Sequence, residues 1–158
     1  MIPRTLRLRI AAAAAVLALP IALASCNRSS TGPSARDLDE LFRAKTAWSA
    51  QALPSYTLMV RPACFCGSQT IRATVVDGIV TSRVFVETGE PVPDALFRSV
   101  ESVDAMLATL ERALREDVPE FRATYDARGV PLTAYIDWYA DAIDDEFGWG
   151  MVEITPTP

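Results

Sequence analysis

The sequence of 158 residues contains no histidine, only three cysteines and a single lysine, Lys45. Without an imidazole, the chain can form neither a catalytic triad with a histidine base nor a metal site with a histidine ligand. Three cysteines also cannot supply the four thiolates of a zinc or iron–sulfur site within one chain. Because no base is evident that would activate a serine or threonine, we expect a non-enzymatic domain without a cofactor.

Positive charge is also scarce, with 15 basic residues against 20 acidic ones and a net charge of −5. Nucleic acids and anionic lipid surfaces are bound through clustered lysines and arginines. The sequence carries neither a P-loop nor a dinucleotide-binding fingerprint. We therefore expect no nucleic acid partner.

Only the N-terminus holds a long apolar run. Residues 1–9 contain three arginines and no acid, and residues 10–24 are apolar apart from one proline. This pattern is typical of a secretory signal, and it is too short for a bilayer span of ~20 residues. Leu23-Ala24-Ser25-Cys26 then resembles the lipobox of bacterial lipoproteins. We predict that residues 1–25 are a signal peptide. Its removal would take three arginines and no acid with it, so the net charge of the mature chain would be −8 instead of −5.

Cys26 is then the predicted site of lipid attachment. Each buried acyl methylene contributes roughly 0.8 kcal/mol, so several chains would hold the protein to a membrane without a transmembrane helix. The expected location is the cell envelope. Asn27, rather than aspartate, follows the cysteine, which by analogy with lipoprotein sorting favours the periplasmic side of the outer membrane in a cell with two membranes. The expected partners are the membrane, through this lipid, and an envelope protein.

The mature chain divides into a flexible, polar tether over residues 26–36 and one α+β domain over residues 37–155. Ser34 and Asp37 approximate a capping box for a first helix that ends before Pro54. Apolar residues at helical spacing define its predicted packing face, which includes Leu38, Leu41, Phe42 and Trp48. Changes of periodicity predict three strands over 56–61, 70–76 and 80–87, the last two joined by a tight turn at Asp77-Gly78.

The same order of elements then repeats. A second amphipathic helix is predicted over 101–117 and three further strands over 121–125, 132–138 and 149–154. Tandem αβββ units bury both sets of apolar stripes most simply as an antiparallel sheet with two helices packed on one face.

Cys64-Phe65-Cys66 is the most unusual local motif. Two cysteines separated by one residue in an extended strand lie ~6.6 Å apart by Cα, near the upper limit for a disulfide, so bridging them requires a local bend. Oxidation is the expectation outside the cytoplasm. The alternatives are a redox pair, although the thioredoxin motif has two intervening residues, a copper(I) site that also uses Met59, and free or intermolecular thiols.

Five acids stand between residues 137 and 146: Asp137, Asp141, Asp144, Asp145 and Glu146. They could hold calcium, but the order of an EF-hand loop is absent, and a solvated loop whose acids cap turns is the favoured interpretation. Trp48, Trp138 and Trp149 are predicted to pack in the core, with ligand stacking as the alternative.

Several short segments together carry a resemblance to a known family: Trp48, Tyr56, Arg61-Pro62-Ala63-Cys64-Phe65-Cys66-Gly67, Ser102-Val103-Asp104, Tyr125-Asp126, Gly129-Val130-Pro131, Ile136-Asp137 and Asp144-Asp145-Glu146. They resemble the exported bacterial family called domain of unknown function 6174, over roughly Leu41 to Ile154. Val130 departs from the pattern, which has an aromatic residue there. The resemblance implies membership but no activity, because the family has no assigned function.

The sequence therefore predicts an envelope lipoprotein whose α+β domain binds a protein or another envelope component. The alternative is a thiol-dependent redox protein or soft-metal carrier that uses Cys64 and Cys66.

Overall fold

A computed structural model describes residues 31–67 and 69–157 of the chain. The predicted signal peptide and the predicted lipid site at Cys26 lie outside the described residues. Within these residues, no helix has the length and apolar character needed to cross a membrane.

The described residues form two α-helices and six strands in the predicted αβββ-αβββ order. In chain order these are α1 (Ala35–Ala50), β1 (Tyr56–Ala63), β2 (Ile71–Val76), β3 (Ile79–Phe85), α2 (Val103–Arg115), β4 (Glu120–Tyr125), β5 (Pro131–Asp137) and β6 (Phe147–Pro156), with a short 3₁₀ turn at Arg98–Val100. The α+β class is confirmed, and the strand ends lie within about two residues of those predicted.

All six strands belong to one antiparallel sheet in the order β3-β2-β1-β6-β5-β4. The last strand returns to pair with the first strand, from Tyr56 opposite Pro156 to Ala63 opposite Gly148. This central pairing joins the two αβββ units into a continuous sheet. Alternate residues of β1 are buried, as expected for a sheet covered on one face by helices.

Polar caps fix the starts of both helices. In α1, the Ser34 amide donates to Asp37 Oδ2 (2.8 Å) and the Asp37 amide donates to Ser34 Oγ (3.3 Å), so the predicted capping box is present. The helix therefore begins inside the segment 26–36, whose composition predicts a tether. In α2, Ser102 Oγ accepts from the Ala105 amide (3.1 Å), which starts that helix two residues later than predicted.

The packing face of α1 is narrower than predicted. Leu41, Ala44 and Trp48 are buried, but Leu38 is 53 % exposed and Phe42 is 72 % exposed. The prediction that these last two residues pack in the core is therefore wrong. Two helices lie over six strands, and no third helix among the described residues covers this side of α1.

Buried polar contacts link the helices to the sheet. Trp48 packs edge-on against Tyr56, with ring centroids 5.5 Å apart, and Tyr56 Oη accepts a hydrogen bond from the Val103 amide (3.1 Å). This bond satisfies a backbone donor at the start of α2 that has no partner within the helix. Within the sheet, Trp149 Nε1 of β6 donates to the carbonyl of Pro131 in β5 (3.3 Å). Trp48 and Trp149 are thus core residues, as predicted.

The turn between β4 and β5 makes a close approach between the two αβββ units. Gly129 has φ +86°, and a Cβ built on it would lie 2.8 Å from the Trp48 amide nitrogen and closer still to the Ala44 carbonyl. Asp126 holds this turn by accepting from the amides of Arg128 (2.8 Å) and Val130 (2.9 Å). Only glycine fits both the backbone conformation and the space available.

Candidate functional site

Most residues on which the family resemblance rests have structural roles. Trp48 packs α1 against Tyr56 of the sheet, and Tyr56 accepts from the first amide of α2. Ser102 caps α2, and Asp126 and Gly129 shape the turn that contacts α1. Two segments of the pattern are different, because they lie in loops and leave large parts of their side chains in solvent: Cys64-Phe65-Cys66 and Asp144-Asp145-Glu146. Exposed residues without a packing role are the better candidates for function.

The antiparallel sheet brings these two segments to the same end. β1, β3 and β5 finish at this end and β2, β4 and β6 begin there, as the pairing of Ala63 with Gly148 and of Glu120 with Asp137 shows. We call it the loop end. The opposite end, where the Asp77-Gly78 turn lies, is called the hairpin end.

The cysteines form a bent loop directly after β1. The strand ends at Ala63, the chain bends at Cys64 and turns through Phe65 and Cys66, and the two cysteine Cα atoms are 5.1 Å apart. Their sulfur atoms lie at bonding distance, which supports the predicted disulfide. This Cα separation is shorter than the ~6.6 Å expected in an extended strand. The chain therefore makes the local bend that such a bridge requires.

Polar contacts fix the base of this cysteine loop. Arg61 donates to Thr70 Oγ1 (3.2 Å) and lies 3.9 Å from Glu87, whose carboxylate accepts from the Thr70 amide (2.9 Å). The hydrogen bond from this amide, with help from Arg61, lowers the pKa of Glu87. The two chain segments that flank the loop are thus tied to each other and to the end of β3.

The loop between β5 and β6, residues 138–146, lies beside the cysteine loop. Asp145 Oδ2 and Asp137 Oδ1 both accept from the Tyr139 amide (2.7 and 3.2 Å), and the Ala142 amide donates to the Tyr139 carbonyl (2.9 Å). Two of the acids therefore stabilise turns, in agreement with the favoured interpretation of this segment. In the part of the chain that the structure describes, no three ligating side chains converge on a point that could hold a metal ion.

A shallow depression of about 360 Å³ separates the two loops, lined by Ala63, Cys64, Phe65, Tyr135, Asp144 and Glu146. Partial burial and the nearby carboxylates of Glu120, Glu146 and Asp137 raise the pKa of Tyr135. The guanidinium of Arg122 lies over the Tyr135 ring, 4.7 Å from its centroid. The depression is therefore acidic, with one phenol and a disulfide on its walls.

The tips of the two loops are apolar. Phe65 is 86 % exposed and Ile143 is 89 % exposed, and these are the two most exposed large hydrophobic side chains among the described residues. Tyr139 adds a third exposed apolar side chain. Trp138, which precedes Tyr139 in the chain, is partly buried against the core. The guanidinium of Arg112 lies over the Trp138 ring, 4.5 Å from its centroid. Large apolar side chains that stay almost fully exposed on two neighbouring loops make this surface a candidate interaction site.

A second concave surface lies between the helices, and sequence analysis did not predict it. A groove of about 710 Å³ runs between the end of α1 and the middle of α2, and the ion pair of Lys45 with Glu111 (2.8 Å) crosses it. The hydrogen bond from Lys45 lowers the pKa of Glu111. Both charges are well exposed, so the pair contributes little to stability.

The polar groups that line the depression at the loop end are carboxylates and one phenol, beside a paired disulfide. Among these described residues, no neighbouring side chain activates a carboxylate or the phenol as a nucleophile or base. Met59 does not extend the cysteine pair toward a copper site, because it lies five residues before Cys64, roughly 16 Å along an extended strand. Sequence analysis identified both loops but could not predict that they are neighbours.

Comparison with known proteins identifies a family. The sequence model of a family described as "Family of unknown function (DUF6174)" matches residues 40–156. No curated protein and no solved structure matches the chain.

Proposed function

This chain belongs to the family of unknown function DUF6174, and on that premise we propose that it is a lipid-anchored, non-enzymatic binding domain of the bacterial cell envelope. The loop end is its proposed binding surface. The observation that carries this proposal is the exposure of Phe65 and Ile143 on two neighbouring loops whose backbones are held in place. Fixing an apolar contact residue before binding lowers the entropy cost of association.

The anchor is proposed from the sequence. A basic start, a short apolar run and the lipobox-like Leu23-Ala24-Ser25-Cys26 stand in the order that lipoprotein export requires. Cys26 bears the acyl chains in this proposal, which leaves Cys64 and Cys66 to pair with each other. The domain would then work at the surface of a membrane, where its own lipid holds it.

The anchor is tested by labelling cells with an alkyne-bearing fatty acid and isolating the full-length protein. We expect label on the wild type and none on a Cys26→Ser variant, which should also leave the membrane fraction. Label-free wild-type protein would contradict the anchor.

The binding surface is tested in the same cells with a photocrosslinking amino acid at position 65, and at position 79 as the control. Ile79 is also exposed (68 %) but lies at the hairpin end. We expect adducts to an envelope component, whether protein or lipid, from position 65 alone. Equal adducts from both positions, or none from either, would contradict a binding role for the loop end.

A second function is supported by the exposure of Cys66 beside its partner Cys64. In this alternative a substrate dithiol attacks the Cys64–Cys66 disulfide, passes through a mixed disulfide and is oxidised, while the pair is reduced to two thiols. Rapid alkylation of intact cells distinguishes the two functions. A substantial fraction of alkylated Cys64 and Cys66 favours redox exchange, and complete resistance to alkylation favours a structural bridge.

A further inference from the structure

Thr31, the first residue that the structure describes, lies at the loop end. The Thr31 carbonyl accepts from the Phe121 amide (3.0 Å), and Thr31 Oγ1 donates to the Pro119 carbonyl (3.2 Å). Phe121 is the second residue of β4, and β4 begins at the loop end. Residue 31 is thereby fixed beside the start of β4, the edge strand of the sheet.

The distance from this point to the proposed anchor is short. Five residues along the chain separate Thr31 from Cys26, so their Cα atoms can be at most roughly 18 Å apart in any conformation. Three strand spacings separate β4 from β1, or about 14 Å across the sheet. The loops that carry Phe65 and Ile143 therefore lie about as close to residue 31 as the lipid does. Ile79 at the hairpin end lies farther across the sheet, on β3, and is also displaced by a strand length along it.

The same end carries side chains suited to a membrane interface. Phe65 and Ile143 protrude from it almost fully exposed, and Tyr139 is exposed beside Ile143. Apolar and aromatic side chains of this kind enter the boundary between headgroups and acyl chains, and tyrosine favours that region.

The charge of the loop between β5 and β6 favours one kind of membrane surface. Residues 138–146 contain four acids and no basic residue, and Asp141, Asp144 and Glu146 are exposed or half-exposed. Anionic headgroups would repel these carboxylates, whereas zwitterionic headgroups have no net charge.

We infer that the loop end lies against the lipid surface to which Cys26 is anchored, with Phe65 and Ile143 inserted among zwitterionic headgroups. The inference rests on the proposed lipid anchor and names the component that the loop end binds. In this arrangement the lipid anchor and the two loops orient the domain with its loop end toward the membrane. The hairpin end faces away from the membrane, and so does the groove between α1 and α2.

The test uses the full-length lipidated protein in vesicles of phosphatidylcholine brominated near the headgroup. Single tryptophans are introduced as Phe65→Trp, Ile143→Trp and, as the control at the hairpin end, Ile79→Trp, all in a Trp138→Phe background that leaves only buried native tryptophans. We expect bromine to lower the added emission at positions 65 and 143 by roughly half or more, because interfacial side chains lie about 5–10 Å below the surface. The emission at position 79 should not change.

Each outcome is decisive. Quenching at 65 and 143 alone, weakened when anionic lipid replaces part of the phosphatidylcholine, supports the inference. Vesicle-bound protein that shows no quenching, or equal quenching at position 79, overturns the inference and leaves the lipid anchor intact. Protein that carries no acyl chain on Cys26 and stays unbound overturns both. Crosslinking from position 65 to a protein rather than to lipid in cells overturns the inference in favour of a protein partner.

Discussion

Replacing Gly129 with alanine tests the contact that joins the two αβββ units. A Cβ at this position would overlap the carbonyl of Ala44 and lie 2.8 Å from the Trp48 amide nitrogen, both backbone atoms of α1. The residue also has φ +86°, which an alanine adopts only at a cost. Neither atom of α1 can move without shifting the helix against the sheet.

The expected cost has two parts. The left-handed backbone costs an L residue about 1–2 kcal/mol, and forcing a methyl group into a packed contact costs roughly 1–3 kcal/mol more. We therefore expect Gly129→Ala to lower the free energy of unfolding by about 2–5 kcal/mol, a large share of the roughly 5–15 kcal/mol typical of a domain.

Gly78→Ala is the matched control. Gly78 has φ +77°, but a Cβ there would meet nothing within 4 Å, so only the backbone part applies. Both variants are compared by urea unfolding, followed by far-UV circular dichroism, in a chain that starts at residue 26 with Cys26→Ser. The difference between them measures the steric part. A difference below about 0.5 kcal/mol would refute the close contact between α1 and this turn.

Three further substitutions test other parts of the structure. Burial alone would raise the pKa of Asp126, but hydrogen bonds from the Val130 amide and from the side chain and amide of Arg128 outweigh it and lower this pKa. The resulting stabilisation is present above the unfolded value of 3.8 and is lost as the pH falls through the lower folded pKa. Urea midpoints at pH 7 and pH 3 should therefore differ less in Asp126→Asn than in the wild type, and equal differences would contradict the assignment. Tyr56→Phe leaves the first amide of α2 buried without its acceptor and should lower the free energy of unfolding by about 1–3 kcal/mol, whereas Tyr139→Phe, at an exposed ring, should change it by less than about 0.5 kcal/mol. Replacing Cys64 and Cys66 together by serine opens only a very short loop and should cost about 2 kcal/mol or less; a variant that fails to fold would show that the bridge does more than shape its loop.

Together, these observations separate the features that build the domain from those left for function. The family pattern contains a set of packing, capping and turn residues that ties the first αβββ unit to the second. Once these are explained, the two segments at the loop end remain, and Thr31, the first described residue, lies at the same end of the sheet.

The sequence by itself determined the features that depend on residues close together in the chain. Alternation and helical spacing located the eight helices and strands, Ser34 and Asp37 marked the start of α1, and Asp77-Gly78 marked the hairpin turn, where both residues have positive φ. The lack of histidine excludes imidazole chemistry whatever the fold. The helices, strands and turns arise from interactions over a few residues, which a linear pattern records.

Only the tertiary structure decided which distant segments meet. Helical spacing could not distinguish the buried Leu41 from the exposed Phe42, because burial depends on how many elements cover the helix. Strand patterns could not place β6 beside β1, and that pairing is what brings the loop after Ala63 next to the loop before Phe147. The cysteine motif and the acidic segment are separate features of the sequence, about eighty residues apart. The order of strands in the sheet makes them one surface.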